Sequence, residues 1–126
     1  MIKQIGKTLQ ENKLEELLES PVKMTANEVR HFDFEPIDVA SRRNNYLLIK
    51  AKNLGNESFT LYISYGGKNG KNGGYTVTVP NNADINDFII RIGSQYKWFS
   101  EDNTWIEITA EHGNIELHLA EISKSN

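Results

Sequence analysis

From residue 22 onward the apolar residues recur at every second position. Phe59, Leu61, Ile63 and Tyr65 alternate with Thr60, Tyr62 and Ser64. Tyr75, Val77 and Val79 alternate with Thr76 and Thr78, and Phe88, Ile90 and Ile92 with Ile89 and Arg91. Ile106 and Ile108 alternate with Trp105, Glu107 and Thr109, and Ile115, Leu117 and Leu119 with Glu116, His118 and Ala120. A period of two places every other side chain on one face of a β-strand. Residues 29–34 put Phe32 and Phe34 on one face, and the apolar run 46–51 reads as a central strand. Seven short strands follow from this pattern. One apolar face per strand suits antiparallel sheets that bury one side and wet the other. Evenly spaced strands of this kind predict an all-β antiparallel sandwich of the jelly-roll type.

The connections carry turn chemistry. Residues 53–57 hold two asparagines around Gly55, and residues 80–86 and 100–104 are polar. Residues 66–74 read Gly-Gly-Lys-Asn-Gly-Lys-Asn-Gly-Gly, expected to be a flexible hairpin tip. His112, Gly113 and Asn114 read as a tight hairpin turn between the last two strands.

Residues 2–19 differ in kind. They are rich in Lys, Glu, Gln and Leu, with one stripe of Ile2, Ile5 and Leu9 and another of Leu14, Leu17 and Leu18. Ser20 and Pro21 end the segment, because a residue before proline avoids helical geometry. The division expected is a helical lead-in or linker over 1–20 and a sandwich domain over 21–126. The helix would pack on the sandwich edge, or connect to a neighbouring domain or a second copy of the chain.

The 126 residues fit one domain with a core of its own. No cysteine is present, which removes disulfides, thiolate nucleophiles and Cys-based zinc sites. The net charge is −3 and the longest basic cluster is Arg42 and Arg43, so nucleic acid is not an expected partner. No apolar run nears the roughly 20 residues of a membrane-spanning helix. The first residues lack the apolar region and cleavage site of a signal peptide. Either a cytoplasmic protein or a piece of a larger chain fits, and the compartment stays open.

The glycine-rich segment is no phosphate loop: Tyr65 stands where the first glycine belongs and Asn72 follows Lys71. His31, His112 and His118 form no metal-binding spacing. Asn81, Asn82, Asp84, Asn86 and Asp87 crowd one loop, the candidate for a structural calcium. There Asp87 occupies the place an EF-hand gives to glycine, and ordinary Asx turns are the competing reading. No cofactor is expected. Glu107 and Glu116 are the one carboxylate pair suited to glycoside hydrolysis, on the expectation that they share the solvent side of adjacent strands. No serine nucleophile elbow is present. No catalytic residue is assigned, and the chain is expected not to be an enzyme.

The outward aromatics carry the binding signal. Aromatic rings stack on the apolar faces of sugars, while charged groups bond the hydroxyls. The candidate ligand-binding set is Tyr62, Arg91, Trp105, Glu107 and His118: two stacking platforms, a cationic fork, an acceptor and a switchable donor. Trp98, beside Phe99, is expected in the core.

Residues 86–93 read Asn-Asp-Phe-Ile-Ile-Arg-Ile-Gly; Trp98 follows, then 104–109, Thr-Trp-Ile-Glu-Ile-Thr, then 113–122, Gly-Asn-Ile-Glu-Leu-His-Leu-Ala-Glu-Ile. This arrangement resembles the C-terminal half of carbohydrate-binding-module-like jelly rolls, the galactose-binding-like superfamily. The likeness extends over about residues 29–122 and is to a fold pattern. It implies a non-catalytic, polysaccharide-associated accessory module with a glycan as partner. The alternative is a structural or protein-interaction sandwich, docking through its N-terminal helix to a neighbouring domain or as a homodimer.

Overall fold

The computed structural model describes residues 12–125. Among them run nine strands: β1 (Lys13–Glu16), β2 (Val22–Met24), β3 (Val29–Asp33), β4 (Asn45–Asn53), β5 (Phe59–Gly67), β6 (Gly70–Val79), β7 (Ile85–Ile90), β8 (Trp105–Glu111) and β9 (Ile115–Lys124). One short helix, α1 (Tyr96–Ser100), and two 3-10 turns, Val39–Asn44 and Ile92–Ser94, complete the regular structure.

The strands form two antiparallel sheets packed as a sandwich. One has the order β1-β9-β4-β7, with β2 lying beyond the end of β1 along the same edge of β9. The other has the order β3-β8-β5-β6. From Val22 on, the pairs are nested: β5 with β6, β4 with β7, β3 with β8, β2 with β9. Successive pairs belong to alternate sheets, so the chain is one long hairpin folded at Lys68 and Asn69 and wrapped on itself. The contacts β4·β9 and β5·β8 close each sheet.

The period-two pattern explains the core. Leu61, Ile63 and Tyr65 of β5 and Ile106, Ile108 and Ala110 of β8 are buried on the inner face of the four-stranded sheet. They oppose Leu47, Ile49 and Ala51 of β4 and Ile115, Leu117, Ala120 and Ile122 of β9. Trp98, from α1, closes one end of this layer. It is 1% exposed, contacts Phe34 and Tyr65 edge-on or tilted, and donates its indole N–H to Asn45 Oδ1 at 2.9 Å. The hydrogen bond lets a large amphipathic ring be buried without an orphaned donor.

Three expectations change. Residues 13–16 are a strand and residues 17–19 carry no helix, and the remaining stretch of the expected helix, residues 2–11, lies outside the described residues. The open edge of β9 at Glu121–Ser123 supplies backbone partners to β1, and pairing of this kind overrides local helix preference. The glycine-rich segment is no loose tip. β5 and β6 stay paired into it, Gly66 and Gly67 are buried, and the turn narrows to Lys68 and Asn69, with Gly70 at φ 111°. Residues 112–114 do not close a hairpin. They carry the chain from β8 in one sheet to β9 in the other, with His112 at φ 64°.

Candidate functional site

The outer face of the four-stranded sheet is built in rows across β3, β8, β5 and β6. Register aligns Asp33 with Trp105, Trp105 with Gly66, and Gly66 with Lys71. The next row holds His31, Glu107, Ser64 and Gly74, and the third Val29, Thr109, Tyr62 and Thr76. Each of these positions alternates with a residue of the inner face, so the buried Ile106, Ile108 and Ile63 fix which way the polar set points.

Glycines make room for the rings. A Cβ on Gly66 would occupy the place of the Trp105 ring edge, and a Cβ on Gly74 would stand 2.8 Å from Tyr62 Oη. Both aromatic side chains therefore lie over neighbouring backbone instead of standing away from it. The Trp105 indole N–H donates to the Gly67 carbonyl at 3.1 Å. The Lys71 ammonium donates to the Tyr62 hydroxyl and sits 4.7 Å from the centre of its ring. From strand geometry, the Cα atoms of Trp105 and Tyr62 are separated by four residues along the strands and one strand across, about 14 Å.

Beside Trp105, on β3 and β8, is a charged triplet. His31 places Nδ1 2.9 Å from Glu107 Oε2 and Nε2 2.8 Å from Asp33 Oδ1. Carboxylates only accept, so both bonds form together when the imidazole carries both protons. The hydrogen bond to Glu107, then that to Asp33, raises the His31 pKa above its ordinary 6.5, against a smaller opposing effect of burial.

Of the five residues expected to bind ligand, three share this face: Tyr62, Trp105 and Glu107. Arg91 and His118 do not. Arg91 is exposed where β7 ends, and its carbonyl accepts from the Ser94 N–H and hydroxyl. His118 is the unmatched residue of a bulge in β9, bonded to Glu116 Oε1 at 2.6 Å. Both belong to the five-stranded sheet. Glu107 and Glu116 likewise sit on different sheets, pointing away from opposite sides of the core, so they flank no common cleft. The inter-sheet crossing at residues 112–114 separates these consecutive strands.

His31, Asp33, Ser64 and Lys71 complete the face and were not singled out from sequence. The signal for His31 was its alternation with Phe32, which points it outward. Only the β3–β8 register brings it to Glu107.

In the asparagine-rich loop the side chains satisfy one another. Asn82 Oδ1 accepts from the Asp84 N–H and from Asn86 Nδ2, both at 3.1 Å. Among the described residues no group of three or more His, Asp or Glu side chains is placed to hold a metal ion.

The fold and this face define an antiparallel β-sandwich with one polar, aromatic sheet surface. Neither the models of known protein families nor the curated proteins give a match to this chain.

Proposed function

We propose that the outer face of β3-β8-β5-β6 binds carbohydrate, and that the chain is a non-catalytic, polysaccharide-associated module of the jelly-roll type. The observation that carries the reading is the pair of rings. Trp105 and Tyr62 lie on one sheet face, on the adjacent strands β8 and β5, with hydroxyl-bonding groups beside them. Glu107 and Asp33 supply acceptors and Lys71 a donor. The jelly-roll reading is supported by the nested pairing of β2 to β9 into sheets 2-9-4-7 and 3-8-5-6, together with the sequence likeness of residues 86–122 to carbohydrate-binding modules. The non-catalytic reading is supported by the separation of Glu107 from Glu116 on opposite faces.

A glycan-array screen of the whole chain, with and without calcium, tests this. Wild type is expected to bind. Trp105→Ala and Tyr62→Ala are expected to lose most of that binding while keeping the circular-dichroism spectrum. A blank array with well-folded protein would sink the proposal and turn the search toward a protein partner. A hit left intact by both substitutions would place binding elsewhere.

A further inference from the structure

We propose that β6 is the strand at which a second copy of this chain joins the four-stranded sheet, edge to edge and antiparallel.

β6 is the outermost strand of its sheet and pairs with β5 on one side only among the described residues. An edge strand presents a row of unpaired backbone N–H and C=O groups, and proteins ordinarily blunt such rows with charge, proline or short length. Every other edge here is blunted. β1 carries Lys13, Glu15 and Glu16; β2 has three residues, one of them Lys23. β3 carries Arg30, His31 and Asp33, and β7 carries Asp87. β6 carries its one charge, Lys71, only beside the turn. Residues 72–79 read Asn-Gly-Gly-Tyr-Thr-Val-Thr-Val, with no charge and no proline.

The occupant follows from the charge and the side chains of this strand. A second β6 brings an uncharged partner to an uncharged edge, so a two-fold pairing sets no like charges against each other. Centred near Thr76, the pairing would run over residues 73–79 and leave Lys71 outside it. Thr76 is exposed on the outer face and would meet Thr76 of the copy, a favourable cross-strand combination, while the exposed Thr78 would meet Gly74. On the inner side Tyr75 is 41% exposed at the same edge, and pairing would cover it.

The symmetry has a consequence for function. Antiparallel strands within one sheet are related by a two-fold axis perpendicular to that sheet, so the joined sheet keeps both outer faces on the same side. The Trp105 and Tyr62 surfaces of the two copies would then point the same way, a bivalent arrangement for a polymer. The dimer stands without the glycan reading; only this bivalence rests on it.

The test is sedimentation velocity of the whole chain from low micromolar to millimolar concentration, with hydrogen exchange at both ends of the range. Reversible dimerisation is expected. Amides within residues 72–79 that point away from β5 should exchange more slowly when concentrated. The double variant Thr76→Lys/Thr78→Lys alters only exposed side chains and should weaken the dimer by about tenfold or more, through like charges facing across the axis. A monomer at every concentration overturns the proposal. So does a dimer with no added protection in residues 72–79, whether or not the lysine variant folds. A blank glycan array beside an intact dimer removes the glycan reading alone, and glycan binding by a strict monomer removes the dimer alone.

Discussion

The imidazole of His31 stacks on the indole of Trp105, with ring centroids 5.7 Å apart and 30° between the planes. The same imidazole is held at both nitrogens by carboxylates of two strands. It therefore links the proposed stacking platform to the acceptors beside it, and its charge state bears on both.

Stability should depend on pH through His31. Its folded pKa is raised above 6.5 by Glu107 and Asp33. A raised pKa means the folded state holds the proton more tightly. The contribution is fully present below 6.5 and is lost as pH rises through the folded value. Thermal melts of wild type and His31→Gln should diverge in acid and converge as pH rises past that value. The gap should be small, because the side chain is 44% exposed and solvent screens its partners. A constant gap across the range would remove His31 as the titrating group.

Two glycines should differ in what they cost the fold. A Cβ on Gly66 meets the Gly70 carbonyl, with its carbon at 2.9 Å, and backbone cannot swing aside. Gly66→Ala should cost about 1–3 kcal/mol in urea denaturation. In Gly74→Ala the nearest atom is Tyr62 Oη at 2.8 Å, the end of a rotatable ring, with Ile63 O behind it at 3.1 Å. That variant should lose less stability than Gly66→Ala, and lose glycan affinity because Tyr62 is displaced. Equal stability losses would argue against this division.

Trp98 should dominate the closed end of the core. Its ring is buried against Phe34 and Tyr65, so Trp98→Ala should cost about 3–5 kcal/mol. Asn45→Ala leaves the indole N–H without its acceptor and should cost about 1–3 kcal/mol. Urea unfolding of the two single variants and the double variant would measure the coupling, and independent additive losses would show that the bond contributes little.

Glu121 should be a stability cost at neutral pH. It is 5% exposed, and burial raises its pKa above 4.5, with Lys13 at 3.9 Å opposing the shift. By the same sign rule its contribution is present below 4.5 and lost as pH rises through the folded pKa. Glu121→Gln should melt higher than wild type at neutral pH, with the difference closing in acid. A lower melting temperature for the variant would mean that the Lys13 pairing outweighs desolvation.

Three of the seven residues of the candidate face are legible before folding. Trp105, Glu107 and Tyr62 each alternate with isoleucine or leucine, and alternation alone fixes which side of a strand a residue occupies. Arg91 and His118 satisfy the same rule and still lie elsewhere. Alternation says inward or outward, and says nothing about which of two outer faces is meant.

The sequence by itself determined the strand character of most of the chain, the inner set around Ile63, Ile106, Ile108 and Leu117, and the burial of Trp98. These follow from local periodicity, which needs no partner strand to be read. Tertiary structure decided the rest. It made residues 13–16 a strand because the β9 edge was open to them. It kept the glycine-rich segment paired because β5 and β6 continue through it. It parted Glu107 from Glu116 by sending residues 112–114 from one sheet to the other, and it joined His31 to Glu107 across 76 positions of sequence. Register and sheet membership are set by which strands pack together to bury their apolar faces, and that competition is resolved only when the whole core forms.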